Sequence, residues 1–461
     1  MSADAIVVGA GAAGLAAASA LQADGMKVTL LERKPYVGGR AYSYEHPALA
    51  EVVDCQHVLL GCCTNLRHLL HTSGADGLVR WYDELTFLET NGQESRIAPN
   101  WMPAPFHATE SFLNARMLGR KDKLMIARGL AEFMRGYPQS DDESMQAWLW
   151  RTRQTERAIR HFWEPVVVGA LNDSFARCSV KYAGQVFHES FLRSAEGGRL
   201  GIPRVPLSEM YGAVADKLIA GGCELVLRAS VESIAREADG WVVRVGDAEY
   251  RAETLVLAIP FEQMQKLLPQ LPEDAERAEL GAKLENFVHA PITTVHLWFD
   301  RAITELEHAV LLDTGIQWMF NKSAIRGWDE EQGQYLELVI SASAAELHED
   351  REKILQSAMR ELEMFFPAMR AARLRKCGVL KEARATFSVV PGLDAYRPEQ
   401  RTAWPGLYLA GDWTRTGWPS TMEGAVRSGY LAAEAVTGRK HLQAGLKAAG
   451  IMKLIARDAT I

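Results

Sequence analysis

The pattern of apolar and polar positions predicts a chain in which buried strands alternate with helices. The first apolar run, residues 5–8, has the length of a buried strand. A glycine-rich stretch follows, and the alanine-rich segment at 15–21 predicts a helix. A second apolar run at 28–31 ends at Glu32. This order of strand, turn, helix and strand predicts an α/β fold with a parallel sheet.

Further along the chain, the pattern changes to short strands. A meander of strands is predicted at 225–227, 231–235, 241–245 and 255–258, with a hairpin turn at 238–240. Beyond the meander, strands are predicted at 293–299, 335–341 and 406–409, and helices at 344–366 and from 420 onward.

The glycines after the first strand have the spacing of a dinucleotide-binding turn. Gly9, Gly11 and Gly14 form G-x-G-x-x-G between a strand and a helix. In this context the first glycine makes the turn, the second lets the backbone approach a pyrophosphate, and the third packs helix on strand. Glu32 at the end of the second strand is placed to bind ribose hydroxyls.

Two further segments complete this pattern. Gly38-Gly39-Arg40 adds a second turn with a cation, close behind the acid. Far downstream, a strand runs into Gly411-Asp412, and the stretch 420–425 opens a helix. Together these motifs resemble the FAD-dependent amine oxidase and phytoene desaturase superfamily. The alternative is a generic Rossmann protein whose C-terminal glycines are ordinary turns.

The resemblance implies an FAD-binding, Rossmann-like (GR2-type) α/β domain with an interleaved α+β substrate domain. The FAD domain is expected at 1–75, 205–260 and 395–440, the substrate domain at 76–204 and 261–394, and a C-terminal tail at 441–461. The residues that the resemblance assigns to FAD are Gly9, Gly11, Gly14, Glu32, Arg33, Gly39, Arg40, Val231, Gly411, Asp412, Met422 and Ala425.

Three segments narrow the resemblance to the hydroxysqualene dehydroxylases of bacterial hopanoid synthesis. They are residues 54–61, residues 162–165 with 170–172, and residues 411–419. This resemblance implies reductive removal of an allylic hydroxyl from a hydrophobic triterpenoid, with an external electron donor for FAD. One departure is that Cys55 alone separates Asp54 from Gln56, where relatives often carry an extra glycine. The placement of Asp54 against the flavin is therefore in question.

Such a reaction needs a general acid, an apolar cavity and a reduced flavin. Asp54 and His57 are the candidate acids, because the chain after Arg40 lies beside the flavin in this superfamily. The alternative is that His57 anchors a turn and Asp54 binds backbone amides. Glu423 is expected to cap the N-terminus of its own helix. The aromatic residues proposed to line a substrate channel, with core packing as the alternative, are Trp163, Trp413 and Trp418.

The bulk properties limit the partners of the protein. The formal net charge of −7 over 461 residues argues against nucleic acid as a partner. The six cysteines fit neither metal-ligand nor disulfide spacing, so we expect reduced thiols, no metal site and a cytoplasmic location. We expect no signal peptide and no transmembrane helix.

Apolar and basic residues alternate between Trp101 and Tyr137. A basic amphipathic helix of this kind is typical of peripheral attachment to anionic lipid, here on the inner face of the membrane. The alternative is a solvated face over an ordinary core.

Two other functions remain open on the sequence. A carotenoid desaturase or a flavin amine oxidase would use the same cofactor in the oxidising direction. A lipid-binding escort protein of the GDP-dissociation-inhibitor type would share the architecture without flavin, but the intact motifs at 411–412 and 422–425 argue against it.

Overall fold

The computed structural model describes residues 3–456, so residues 457–461 of the expected tail lie outside the described part. In chain order, the strands are β1 (Ala5–Val8), β2 (Val28–Glu32), β3 (Ser43–His46), β4 (Glu51–Asp54), β5 (Leu59–Leu60), β6 (Val79–Tyr82), β7 (Leu85–Leu88), β8 (Glu94–Ile97), β9 (Leu200–Pro203), β10 (Glu224–Leu227), β11 (Ser233–Glu237), β12 (Gly240–Val245), β13 (Ala248–Ala252), β14 (Thr254–Leu257), β15 (His289–Phe299), β16 (His308–Leu311), β17 (Trp318–Asn321), β18 (Gln334–Ile340), β19 (Leu374–Phe387) and β20 (Leu407–Leu409).

The helices follow the same order along the chain. They are α1 (Ala12–Ala23), α2 (Thr64–Thr72), α3 (Thr109–Asn114), α4 (Arg120–Phe133), α5 (Met145–Arg151), α6 (Glu156–Ala158), α7 (Glu164–Leu171), α8 (Val180–Val186), α9 (Leu207–Ala220), α10 (Phe261–Leu267), α11 (Ala275–Leu284), α12 (Lys322–Arg326), α13 (Arg351–Phe365), α14 (Met422–Thr437) and α15 (Met452–Ile455).

A five-stranded parallel sheet, in the order β10-β2-β1-β14-β20, organises the molecule. Its central strand β1 is buried along its whole length, as expected for a parallel strand covered on both faces. The strands come from the three chain segments 1–75, 205–260 and 395–440. The predicted α/β class is therefore confirmed, and the sheet exists only where these separated segments meet.

The predicted meander is wrong in its connectivity. Strands β10 and β14 belong to the parallel sheet, while β11, β12 and the unpredicted β13 form a separate antiparallel sheet. The apolar run of β14 pairs with the run of β1, which buries both of them. Because β14 is buried in the parallel sheet, it does not pair with its neighbours in the chain as the predicted meander required.

A seven-stranded sheet, in the order β19-β15-β18-β17-β16-β7-β8, forms the second layer. It combines β7 and β8 from the segment 76–204 with β15 to β19 from the segment 261–394. The helix predicted at 344–366 is shorter than expected. It begins at Arg351 because the Asp350 carboxylate accepts a hydrogen bond from the N–H of Glu352 and caps the helix there.

Helices α1 and α14 pack against each other through small residues. A Cβ atom at Gly429 would lie 2.2 Å from the carbonyl oxygen of Ala13 and 2.9 Å from Ala16 Cβ. Only glycine allows this approach of the two backbones. The packing fixes the helix after the first glycine turn against the helix that follows Asp412.

A cluster of buried charges joins the end of β4 to the second layer. Lys322 at the start of α12 lies with its Nζ 2.8 Å from Asp54 Oδ1, 2.5 Å from Gln56 Oε1 and 3.3 Å from Glu337 Oε2. Glu337 Oε1 in turn accepts a hydrogen bond of 2.6 Å from the N–H of Gln56. Arg326 lies 3.2 Å from Asp54 Oδ2. Two cations and two carboxylates thus bind one segment of the first layer to the second.

Burial makes this cluster sensitive to the loss of any member. The Lys322 side chain is 3% exposed, and those of Asp54 and Glu337 are 1% and 0% exposed. Removing one partner of a buried ion pair costs about 3–5 kcal/mol, because the other charge is left without compensation. The cluster therefore stabilises the contact between the layers as a unit.

Burial raises the pKa of Glu337 from 4.5 to about 7, and the attraction of Lys322 offsets only part of this effect. A raised pKa in the folded state means that Glu337 contributes stability below pH 4.5 and that this contribution falls as the pH rises towards 7. We expect the Glu337→Gln protein to lose less thermal stability between pH 5 and pH 8 than the wild type. Melting temperatures measured across this range test the expectation.

The matched control is Glu273→Gln, a carboxylate that is 90% exposed and paired with Arg277. This variant should keep the pH profile of the wild type. Parallel profiles for Glu337→Gln and the wild type would show that Glu337 does not titrate in this range.

Candidate active site

The packing of the protein's own backbone requires glycine at two positions of the first turn. Gly9 has φ +102°, and a Cβ atom there would lie 2.4 Å from the carbonyl oxygen of Ala258. At Gly14 an added Cβ would lie 1.7 Å from the carbonyl oxygen of Gly9, so the helix can reach the turn only without a side chain. Both positions therefore shape the turn and the packing of α1, as expected from their spacing.

Gly11 has no such requirement from the protein. Its φ of −74° is open to any residue, and an added Cβ would only touch Gly39 Cα at 3.6 Å, an ordinary contact. The turn thus leaves free space over Gly11, directly at the N-terminus of α1. The packing of the protein does not require glycine at position 11. The absence of a side chain there would instead let a pyrophosphate approach the backbone closely.

The second glycine turn lies against the first. The N–H of Gly38 donates to the carbonyl of Ala10 at 2.9 Å, and Gly39 has φ +65°, where a Cβ would meet Gly11 Cα at 2.9 Å. Lys34, which the motif analysis missed, donates from Nζ to the Gly39 carbonyl at 3.1 Å. The two turns form one cradle, as the sequence indicated.

Glu32 is buried at the edge of this cradle. Its Oε2 accepts from the N–H of Ala10 at 2.7 Å, and its Oε1 accepts from the N–H of Lys34 at 2.8 Å. Each carboxylate oxygen keeps a second lone pair for a ribose hydroxyl. The neighbouring Arg33 is exposed.

Val231 lies in the loop before β11 and not in the predicted strand, which starts at Ser233. The loop passes the cradle, because the N–H of Ala229 donates to the backbone carbonyl of Glu32 at 2.8 Å. Val231 is half-buried. Its predicted place near the adenosine end fits this path of the chain.

Asp412 connects the last segment to the cradle. Its carboxylate lies 2.5 Å from Arg40 Nη2 and accepts from Ser420 Oγ at 2.5 Å. The preceding Gly411 has φ +139°, and a Cβ there would lie 2.5 Å from the indole Nε1 of Trp413. Residues some 370 positions apart, Arg40 and Asp412, are thus in direct contact.

The N-terminus of α14 completes the flavin region. Thr421 caps this helix, because its Oγ1 accepts from the N–H of Gly424 at 3.0 Å. Met422 and Ala425 are half-buried at its first turn. The helix N-terminus offers N–H groups and a positive dipole end to a bound ring.

The sequence predicted that Glu423 caps its own helix, α14, and this prediction is wrong. Its carboxylate caps α2, accepting from the N–H of Asn65 at 3.2 Å and from that of Leu66 at 2.8 Å. Burial raises the pKa of Glu423, and the nearby Arg427 opposes this effect. The sequence could not show this, because α2 lies far from Glu423 in the chain.

An apolar cavity of about 200 Å³ reaches this flavin region. Its lining residues from α7 and the seven-stranded sheet include Pro165, Val166, Gly169, Ile292, Trp318 and Phe320. Trp418, Pro419, Thr421 and Met422, at the N-terminus of α14, also line it. A bulky apolar ligand in this cavity would therefore contact the N-terminus of α14.

The predicted aromatic residues have different positions. Trp418 lines the cavity, as proposed. Trp163 is fully buried in an aromatic cluster with Trp148 and Phe187, and its Nε1 donates to Gln154 Oε1. Trp413 is also fully buried, with its Nε1 bonded to the carbonyl of Ile259. The channel role is wrong for these two residues, because core packing and a structural hydrogen bond hold each ring.

The geometry contradicts Asp54 as the general acid. Burial alone would raise its pKa, but Lys322 and Arg326 hold the pKa of Asp54 well below its usual range. An ionised carboxylate has no proton to donate at neutral pH. The side chain instead belongs to the buried cluster that holds the 54–57 segment in place.

His57 is also poorly suited to donate a proton. Its Nδ1 lies 2.7 Å from the carbonyl oxygen of Cys55, which fixes Nδ1 as the protonated nitrogen. Burial lowers the pKa of His57, although the Cys55 carbonyl works in the opposite direction. The ring is neutral near pH 7, and its structural role as the anchor of a turn is the better supported alternative.

The cavity is also lined by polar groups that the sequence motifs did not identify. Gln185 in α8, together with Glu189 and Ser190 in the π-helical turn that follows, lines the cavity, as does Gln56. Gln185 and Glu189 are four residues apart in a helical stretch, so they share a face. That spacing is the signal in the sequence that could have identified them.

Gly11→Val should abolish FAD binding, because its side chain would fill the space over the turn while the protein itself offers no clash to Cβ. The measurement is the FAD content of purified protein by absorbance, beside the melting temperature of the apoprotein. The matched control is Gly77→Val, an exposed glycine with open space around it. Stoichiometric FAD in folded Gly11→Val protein would contradict the assignment of the cradle.

Comparisons with known proteins agree with this geometry. The family described as flavin containing amine oxidoreductase matches residues 12–437. The 15-cis-phytoene desaturase of Synechococcus elongatus is 26% identical over 462 residues, covering 94% of this chain and 96% of that protein. The chloroplastic/chromoplastic 15-cis-phytoene desaturase of Solanum lycopersicum is 25% identical over 466 residues, covering 95% of this chain and 78% of that protein.

Solved structures share the fold over nearly the whole chain. Cyclohexylamine oxidase from Brevibacterium oxydans superposes with a TM-score of 0.65 at 19% identity, covering 94% of this chain and 98% of that chain. Putrescine oxidase bound to putrescine gives a TM-score of 0.68 at 18% identity, covering 95% and 100%. The chain therefore belongs to the flavin-containing amine oxidoreductase family, and FAD is its cofactor.

Proposed function

We propose that this flavoprotein removes the allylic hydroxyl of hydroxysqualene and releases squalene, in hopanoid or other triterpenoid biosynthesis. The observation that carries the proposal is the apolar cavity that ends at Trp418 and the first turn of α14, where the flavin region begins. A long hydrocarbon needs such a cavity, and reaction at the flavin needs this contact. The resemblance of the segments 54–61 and 411–419 to hydroxysqualene dehydroxylases supports the specific substrate.

The balanced reaction converts one alcohol, two electrons and two protons into one hydrocarbon and one water. FAD, when reduced by an external donor, supplies the hydride chemistry. The allylic carbon gains a hydride, the carbon–oxygen bond breaks, and the hydroxyl leaves with one proton as water. The chain must therefore hold the allylic carbon at the flavin region, exclude bulk water and provide a polar contact for the leaving oxygen.

Residues of this chain match these tasks in part. The lining residues from α7 and the sheet supply apolar contacts for the hydrocarbon. Gln56, Gln185 and Glu189 supply polar groups at the cavity surface. The buried Lys322 fixes Gln56, since its Nζ lies 2.5 Å from Gln56 Oε1. Asp54 and His57 position this segment, and neither supplies the proton in this proposal.

A second candidate function is a carotenoid desaturase, which would oxidise a polyene and pass electrons onward. The curated relatives named above favour it, since both are 15-cis-phytoene desaturases that match most of this chain. The same cavity would accept a polyene. A non-enzymatic escort role is disfavoured, because the cradle at Gly11 and the ion pair of Arg40 with Asp412 are intact.

We propose that the protein binds the surface of anionic membranes, where such substrates reside. The region predicted as one basic amphipathic helix is broken, with α3 at Thr109–Asn114 and α4 at Arg120–Phe133. Its exposed apolar side chains are Trp101, Phe106, Leu113 and Leu124. Exposed cations beside them are Arg116, Arg120 and Lys121.

Helix α15 extends this surface. The N–H of Ile451 donates to the carbonyl of Ala104 at 3.0 Å, which places the start of α15 beside the chain that follows Trp101. Trp101 and Leu454 are both 89% exposed. Apolar side chains surrounded by cations suit insertion into an anionic lipid surface. Within residues 3–456, the helices are too short or too polar to cross a bilayer.

The surface also lies close to the cavity. Phe112 in α3 contacts Phe162 with 5.9 Å between ring centroids, and Phe162 lies one turn before Val166 of the cavity wall. A membrane-bound protein would therefore present this side of the cavity towards the lipid. The arrangement supports direct transfer of a hydrophobic substrate.

Anaerobic addition of hydroxysqualene to the photoreduced enzyme should reoxidise the flavin and give squalene in equal amount. The reason is that the alcohol is the two-electron acceptor in the balanced reaction. Flavin absorbance and extraction of the lipids measure both products. Bleaching of oxidised flavin by phytoene or squalene, without reoxidation by hydroxysqualene, would instead support the desaturase.

Charge reversal of Arg116, Arg120 and Lys121 to Glu should weaken binding to liposomes that contain phosphatidylserine. The expected loss is about 1 kcal/mol for each residue near the surface. Co-sedimentation at low and high salt measures it. Reversal of the equally exposed Lys217, Lys266 and Arg375 is the control and should have little effect. Equal binding of the two triple variants would remove the membrane proposal and leave the enzymatic one intact.

A further inference from the structure

Only the nitrogen end of the Gln185 side-chain amide has a hydrogen-bond partner. Its Nε2 donates to the backbone carbonyl of Gly417 at 2.9 Å. The same amide is hydrogen-bonded to the Tyr137 hydroxyl: burial raises the pKa of Tyr137, and Gln185 works in the opposite direction, as an N–H donor does. Its Oε1 has no hydrogen-bond partner among residues 3–456, although the residue is only 4% exposed and lines the cavity. A buried acceptor of this kind is a place where a ligand can supply the missing donor.

The orientation of this amide is set by its surroundings. A backbone carbonyl only accepts hydrogen bonds, so the nitrogen of Gln185 must face Gly417 and the oxygen must face away from it. Gly417 precedes Trp418, which lines the cavity at the flavin region. The amide of Gln185 is therefore held beside Trp418 in the lining of the cavity.

Neighbouring polar groups of the cavity are occupied. Gln56 Oε1 accepts from Lys322, and Gln56 Nε2 donates to the carbonyl of His57 at 2.7 Å. Ser190 Oγ lies 3.3 Å from the thiol of Cys62. The Glu189 carboxylate lies 3.6 Å from Arg193. Each of these groups has a partner elsewhere in the protein, whereas Gln185 Oε1 leaves a hydrogen bond unmade.

We propose that Gln185 Oε1 accepts the O–H of an otherwise apolar ligand and so selects a long-chain allylic alcohol over the corresponding hydrocarbon. The inference rests on the proposed function and specifies how its substrate is recognised. An unpaired buried acceptor is unfavourable, and a hydrocarbon leaves it unpaired. A site built to bind a hydroxyl therefore rejects an analogue that lacks it.

The test compares binding of hydroxysqualene and squalene to the oxidised holoenzyme, without a donor and hence without turnover. Titrations followed through the flavin absorbance give the two dissociation constants. The wild type should bind the alcohol about tenfold more tightly, the effect of one hydrogen bond of about 1.4 kcal/mol. In Gln185→Met, which keeps the length of the side chain without the acceptor, this ratio should fall to about one.

The matched control is Gln334→Met, a buried amide with both ends bonded and no place in the cavity lining. It should lower stability and keep the ratio of the wild type. If Gln185→Met does not retain FAD, the methyl ether of hydroxysqualene replaces it, because the ether carries the oxygen without the O–H. The wild type should bind this ether no better than squalene.

Equal affinity of the wild type for alcohol and hydrocarbon would overturn the inference, as would a Gln185→Met protein with an unchanged ratio. Tighter binding of the corresponding amine than of the alcohol would also overturn it, since an N–H donor would then be the preferred ligand. These results are separate from turnover. A wild type that prefers the alcohol but does not reduce it would refute the proposed reaction and leave the role of Gln185 in place.

Discussion

The whole site depends on the pairing of three separate chain segments into the parallel sheet around β1. This strand pairs with β2 on one side and with β14 on the other, and β20 then pairs with β14. Only this pairing brings the two glycine turns, Asp412 and the N-terminus of α14 to the same end of the sheet. The contact of Arg40 with Asp412 and the packing of Gly429 on Ala13 then hold the turns in place. A cofactor cradle made from three distant segments is the result.

The second layer has a different task. It supplies apolar lining of the cavity and the ion pairs that hold residues 54–57 in place. Helix α7 and the seven-stranded sheet line the apolar cavity, and the Lys322 cluster holds the 54–57 segment in place beside it. Burying charge for this purpose is expensive unless each charge is compensated. The cluster meets that condition for Asp54, which lies 2.8 Å from Lys322 and 3.2 Å from Arg326. For Glu337 the compensation by Lys322 is only partial, and its pKa is raised. Rigidity at the flavin side thus coexists with a largely apolar cavity.

Much of the cofactor site could be predicted from the sequence because its determinants are local. Gly9 and Gly14 must be glycine for reasons found within one turn and the adjoining strands, and Glu32 follows from its place at a strand end. The catalytic candidates failed for the opposite reason. The proton affinity of Asp54 depends on Lys322 and Arg326, which lie some 270 residues away in the chain. The spacing of residues along the chain does not reveal these contacts.

The sequence by itself determined the α/β class, the FAD turns and the family, because backbone conformation and hydrophobic periodicity are written into neighbouring residues. Tertiary structure alone decided which aromatic rings face the cavity, which helix Glu423 caps and which acceptor remains unpaired. Trp163 and Trp418 look alike in the sequence, yet one is enclosed by core packing and the other lines the cavity. The physical reason is that burial, ion pairing and hydrogen-bond satisfaction depend on contacts between segments that only the folded chain brings together.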